Sequence, residues 1–473
     1  MGYRIRSMAT ATSTTPGAVE LRRDLGLADL TLTQVLFIVG LPWVGVAAKQ
    51  GPAHVLFWLA AIALFYLPSA AVVIHLNRAM PLEGGLYQWA KLGFNEMIGF
   101  LVAWNLWLFA ILNTSEIGLQ ITQYFHYVLG ARGAALATDR LFVTFVNLVI
   151  LTALVLVTIR GLSMGKWVHK AGGAVMLATF GLLIVLPWLS VGNGTIASFH
   201  PLATALPVVS LLSLNIAAKM GFGALGGFEY VAIHAGECRN PERTIARSVA
   251  LAAPIICVMF ILGTSSVLAL VPMDEIDLIA PIPQVLAAGF GKLGYGASIA
   301  PIAILAVLFM RVAQSSVMFA GNTRLPMVAG WDGLLPRWFT QLHPTYQTPV
   351  NSILFVGAVT LAFSVAGLIG VGKQEAFQLL WNASAIFYAL TYLVMFAVPI
   401  AGARPLRGPW WLTLAAISGF LMTLAFVVLS ILPIVQVASW WSFALKISTV
   451  IVATNAIGIA IFLRARTRTR RRL

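Results

Sequence analysis

Residues 221–227 read Gly221-Phe222-Gly223-Ala224-Leu225-Gly226-Gly227, in the middle of an apolar run over 205–235. A run of that length is a candidate membrane crossing, because about 20 apolar residues are enough to traverse the hydrocarbon layer. Glycine at this density disfavours continuous helix, so the run reads as two half-helices joined by an unwound stretch. An earlier apolar run, 30–48, holds Gly40-Leu41-Pro42-Trp43-Val44-Gly45 and reads the same way. Glycines of this kind also serve close helix packing. Two interrupted runs at corresponding places in two halves of a chain favour the unwound reading. Main-chain N–H and C=O groups laid bare at bilayer depth find no partner in lipid and persist only where they line a cavity. A half-helix N-terminus favours an anion such as a carboxylate, and freed carbonyls favour an ammonium group. A small zwitterion has both.

Working outward, similar apolar runs occupy almost the whole chain. They fall at 30–48, 54–76, 95–129, 141–159, 168–190, 205–235, 247–271, 295–322, 350–370, 376–400, 410–433 and 438–463. The 473 residues are 60% hydrophobic and 10% charged, against about 25% charged in ordinary soluble domains. The fold class expected is therefore an all-α integral membrane protein of about twelve transmembrane helices. A net charge of +15 does not indicate nucleic-acid binding, because the basic residues sit in short links and at both ends of the chain. With an even number of crossings, one side carries most of them. Lys49, Arg132, Arg140, Lys292 and Lys373 fall on the other side, and Lys219, Arg311 and Lys446 lie within runs. That bias places both termini in the cytoplasm of a cell (inner) membrane protein. Residues 1–24 read as a cytoplasmic tail without signal-peptide character. The basic tail 464–473 reads as a solvated stop-transfer segment near anionic lipid. Cys238 and Cys257 are too few for a disulfide framework.

Three ordered segments carry a family resemblance. The link after the second run reads Pro81-Leu82-Glu83-Gly84-Gly85-Leu86-Tyr87-Gln88-Trp89. The sixth run and its exit read Phe222 to Glu229, then Ala235-Gly236-Glu237-Cys238-Arg239-Asn240-Pro241-Glu242-Arg243-Thr244. After the eighth run come Arg324, Asp332-Gly333-Leu334-Leu335-Pro336 and Thr348-Pro349. Together they resemble the amino acid–polyamine–organocation superfamily, from about Asp24 to about Pro399. The resemblance implies a five-plus-five inverted repeat with helices 1 and 6 broken, followed by two C-terminal helices. The units would be 25–195, 196–402 and 403–463, working by alternating access. By position, Val39, Gly40, Leu41, Pro42 and Trp43 would face a substrate carboxylate, and Phe222, Gly223 and Ala224 its amine. Asn113, Thr114, Ser315, Ser316, Asn382 and Ser384 would complete the pocket. The chain departs from the family in three places. Phe37-Ile38-Val39 stands where a GxG turn is usual, with Pro42 expected to open the helix. Gly223 and Ser316 replace aromatic gates, leaving substrate cover to Phe222 or Trp43 and implying a wider pocket. Met176 stands near the position where some proton-coupled members carry a lysine.

Ionisable residues at bilayer depth cost on the order of 3 kcal/mol and usually face a cavity or a partner. Glu229 reads as an inner gate or as a structural acid beside the sixth-helix break. Glu116, Lys219 and Arg311 are expected at similar depth with at least one salt bridge among them, as a gate or selectivity cluster or as a helix-orienting ion network. Lys446 is expected to snorkel. The seven histidines form no metal-spaced pair, no catalytic motif appears, and no enzyme activity, metal or cofactor is expected. The function that follows is secondary transport of an amino acid, with H+ or Na+ as possible coupling ions. A polyamine or other organic cation is the alternative substrate, and a non-transporting membrane sensor the alternative of a different class.

Overall fold

The computed structural model describes residues 25–470 other than 81, 83, 239, 332, 368–372, 435–436 and 438. The N-terminal tail 1–24, the motif residues Pro81, Glu83, Arg239 and Asp332, and Arg471 and Arg472 therefore lie outside the described residues. So do the side chains of Glu237, Lys373, Arg468 and Arg470.

The described chain is helical throughout. The first apolar run forms α1 (Leu27–Ile38) and α2 (Leu41–Ala48), bent by 45° at the break between them. There follow α3 (Gly51–Ala79), α4 (Leu86–Gly93), α5 (Glu96–Leu129), α6 (Ala131–Thr138), α7 (Arg140–Arg160) and α8 (Leu162–Gly192). The sixth run is α9 (Leu211–Ala218), a π turn over Lys219–Gly223, a non-helical pair at 226–227 and a 3-10 helix over Phe228–Glu237. Then come α10 (Pro241–Leu270), α11 (Pro281–Lys292), α12 (Ile299–Trp331), α13 (Val350–Gly367), α14 (Lys373–Ala401), α15 (Trp410–Ser430) and α16 (Trp440–Arg470). Ten of these helical segments are long and apolar enough to cross a bilayer, and the bent α1–α2 pair adds an eleventh. The apolar stretch Val350–Ala366 in α13 is shorter and completes the expected set.

Burial sorts the spans. In the sixth, Leu211–Ala232, 72% of the apolar window is buried, against 17% in Trp440–Thr467. The broken span is thus the centre of the bundle and α16 its rim, where exposed Trp441, Leu445 and Val452 suit contact with lipid tails. Around the centre, α14 packs on α5 and α15, and α1 packs on α8, α10 and α12.

The sixth helix begins at Leu211 rather than near 205, because Ser210 and Ser213 exchange side-chain-to-backbone bonds of 3.1 and 2.8 Å that start the helix there. The short helices α4, α6 and α11 were read as links. They are too short to cross and lie between spans.

Candidate functional site

The first break is made at Val39 and Gly40, not at Pro42. Val39 leaves helical geometry with ψ 83°, and Gly40 is extended with φ −74° and ψ 124°. Pro42 sits in the first turn of α2, where its missing N–H costs nothing because that amide would lack a helical partner anyway. The end of α1 exposes carbonyls, and α12 meets them: the Gln314 amide donates to the Leu36 carbonyl at 2.8 Å and to the Val39 carbonyl at 3.1 Å. These acceptors are therefore satisfied by protein. At the start of α2 the Gly40 amide donates to the Ile38 carbonyl at 2.8 Å, the Trp43 amide donates to the Gly40 carbonyl at 3.2 Å and Pro42 has no N–H, so what this end of α2 presents is its helix dipole more than free amides.

In the sixth span the Phe222 carbonyl accepts from the Gly226 amide at 3.0 Å, while the Gly227 amide donates to the Tyr392 hydroxyl at 2.6 Å. Gly227 has φ +142°, and a Cβ there would stand 2.6 Å from Cγ1 of Ile38. Glycine thus lets the two breaks touch. Tyr392 passes the connection on by donating to Oε2 of Glu229, and Tyr388 donates to Oε1 at 2.5 Å. Glu229 is fully buried. Through Tyr392 it anchors the hydroxyl that takes the Gly227 amide.

Between the two breaks lies a cavity of about 60 Å³, measured as space open to the centre of a water molecule. A single water needs roughly 10–15 Å³ on that measure, so the space suits a few heavy atoms without further opening. Of the residues singled out from sequence, Gly40, Pro42, Trp43, Asn113, Phe222, Gly223, Ser384 and Arg311 line it. Val39, Leu41, Thr114, Ala224, Ser315, Ser316 and Asn382 do not. Ser315 accepts from Arg311, Asn382 accepts from Lys219, and Ser316 lines a second cavity beside Lys166, His169 and Arg324. Sequence reasoning missed Phe37, Ile38, Phe109, Gly226, Gln314, Met318, Trp381, Ala385 and Tyr388. The pocket is not widened at Gly223. The Trp43 ring fills that place, since a Cβ on Gly223 would stand 2.6 Å from it, and Trp43 also packs against Trp381 at 5.4 Å between centroids.

The three charges expected to cluster divide. Arg311 and Glu116 form a buried pair at 2.7 Å, with the arginine also donating to Ser315 at 2.6 Å and to Gln120. Lys219 points elsewhere, donating to Asn382 at 3.3 Å and Ser430 at 3.1 Å, with its ammonium 5.5 Å from the centre of the Phe426 ring. Lys446 reaches Glu375 at 2.9 Å on the exposed rim.

Residues 25–454 match the family model described as amino acid permease. The chain belongs to that family. It is a multi-pass membrane protein of the permease type. An uncharacterized transporter of Legionella pneumophila is 24% identical over 80% of this chain and 81% of its own. The branched-chain amino acid permease of Bacillus subtilis is 24% identical over 80% of this permease and 83% of its own length. The methylthioribose transporter of the same organism is 22% identical over 74% and 76%. Relatives at nearly equal distance are thus named for substrates as unlike as an amino acid and a thiosugar, so the substrate must be argued from the cavity.

Proposed function

We propose that this permease is a secondary transporter that carries an amino acid across the cell membrane by alternating access, with both termini in the cytoplasm and the two broken helices in the paired repeats of the fold. The observation that carries the reading is the cavity between the two breaks. Its wall combines the start of α2, which favours a carboxylate, with the apolar surfaces of Phe37, Phe109, Met318 and Trp381, which suit an uncharged side chain. No carboxylate lines it among the described residues. A polyamine, which needs acids to replace its water shell, is therefore the poorer fit.

Glu229, Tyr388 and Tyr392 form a hydrogen-bonded group beside the sixth-helix break. In this reading they hold the sixth-helix break while the substrate is bound, and Tyr388 both lines the cavity and donates to Glu229. The test is uptake of a panel of labelled amino acids and diamines into proteoliposomes, with and without an imposed pH or sodium gradient. At least one neutral amino acid should enter above the level of empty vesicles, and the gradient that accelerates it identifies the coupling ion. Uptake confined to diamines, or none for any amino acid, rejects the proposal.

A further inference from the structure

Arg311 is the charged side chain in the wall of the central cavity among the described residues, and Glu116 stands directly behind it. The arginine is 3% exposed and held from three directions, by Glu116 at 2.7 Å, by Ser315 at 2.6 Å and by Gln120. A guanidinium has five N–H donors. Among the described residues those three bonds leave two N–H groups without a bond to the protein, on a side chain that borders the cavity. Glu116 is wholly buried, and its Oε2 has no hydrogen-bond partner among the described residues. An acid with one oxygen unpartnered, covered by an arginine at the edge of a binding cavity, is a latent cation site with a lid of opposite charge.

We propose that Arg311 binds the substrate's carboxylate together with the start of α2 and, by covering Glu116, keeps cations out, so that the substrate class is a zwitterion with an uncharged side chain. This rests on the reading of the central cavity as the substrate site. The pair supplies one positive face and no negative one. A basic side chain would meet Arg311 with no acid to receive it, and an acidic side chain would need a second cation that the wall lacks. Rigid placement matters as much as charge. A lysine at 311 would keep the charge but could not hold Gln120, Ser315 and Glu116 in one plane.

The first arm uses the unmodified protein in proteoliposomes loaded with whichever labelled neutral amino acid it transports. The same amino acid and its primary amide are compared as competitors. The amide keeps the ammonium and loses the anionic oxygens, so it should compete at least about tenfold more weakly; equal competition overturns the proposal. The second arm is Arg311→Gln, which uncovers Glu116. It should lose uptake of the neutral amino acid and gain uptake of labelled putrescine, a diamine. The double variant with Glu116→Gln should lose the gain. Wild-type selectivity in Arg311→Gln overturns the proposal, whereas a pair that merely orients helices would lower the melting temperature and leave relative selectivity alone. If Arg311→Gln is not recovered as a folded species, the amide comparison decides by itself. Failure of the unmodified protein to carry any amino acid counts against the proposed function; transport with unchanged selectivity counts against the role of Arg311.

Discussion

The first break is confined to Val39 and Gly40 and bends its span by 45°, whereas the sixth is drawn out from Lys219 to Gly227 through a π turn and a non-helical pair. The freed polar groups are dealt with differently. At the first break the Ile38 carbonyl accepts from the Gly40 amide, and the Leu36 and Val39 carbonyls are closed by one side chain from another helix, Gln314. At the sixth, the break closes partly on itself through Gly226 and Phe222, and the Gly227 amide is taken by Tyr392, which Glu229 holds in place. One break is propped from outside by an amide and the other by an acid with two phenols. The prop at the first leaves the start of α2 open to the cavity. The comparison teaches that a broken membrane helix is stabilised by whichever polar partners neighbouring spans can deliver to a few main-chain atoms.

The largest effect belongs where the two breaks meet. Gly227→Ala would require a side chain at φ +142° and would press a methyl within 2.6 Å of Ile38 and 2.8 Å of Phe37. A loss of about 3 kcal/mol or more is expected, read as a lowered melting temperature of the purified protein together with lost uptake. An unchanged melt would mean that α1 and the sixth span are not in contact there.

Next comes the prop of the sixth break. Tyr392→Phe removes one hydroxyl and strands both the Gly227 amide and an oxygen of Glu229, at an expected cost of about 2–3 kcal/mol. Tyr388→Phe strands the acid's other oxygen and leaves the Gly227 bond intact, so it should cost less. Equal melting shifts for the two variants would remove the claim that the main chain, rather than the acid, is what Tyr392 serves.

The first break should be somewhat more forgiving. Gln314→Leu keeps approximate bulk but leaves the Leu36 and Val39 carbonyls without their donor, for an expected loss of about 2 kcal/mol. Carbonyls are less demanding than amides because a turn can tilt them toward another donor. A loss larger than that of Tyr392→Phe would reverse the ranking of the two breaks.

The spans were legible because lipid imposes a length and a composition on each, and the breaks because two glycine-rich interruptions fall at corresponding places in the chain. The short helices α4, α6 and α11 were not, since a segment of eight to twelve residues between crossings carries no membrane signature. The pocket was legible only in part. Placing residues by resemblance selected the right helices but not always the right face. Ser384 lines the cavity while Asn382, two positions away, turns to Lys219. The missed residues had a local signal: Trp381, Ala385 and Tyr388 share with the expected Ser384 a helical spacing along one stripe of α14, and Tyr392 continues it. Gln314 likewise lies three positions after Arg311 on α12. Its partners, the carbonyls of Leu36 and Val39, are main-chain atoms 278 and 275 positions away in the chain, and no side-chain pattern announces them.

The smallest effect concerns the residue that looked most responsible for the first break. If Pro42 opened the helix, Pro42→Ala would let α1 and α2 join and would abolish the cavity. In the structure the chain has already left helical geometry at Val39, Gly40 is extended, and Pro42 occupies the opening turn of α2, where it only preorganises φ. The expected cost of Pro42→Ala is therefore below about 1 kcal/mol, mainly through added freedom of the unfolded chain, with uptake preserved. Gln314 would still hold the Leu36 and Val39 carbonyls in the variant, so the bend should survive without the proline. Combining Pro42→Ala with Gln314→Leu separates the two causes. Additive losses mean that Gln314 props the break alone, and a combined loss well beyond the sum means that the proline and the amide hold it together.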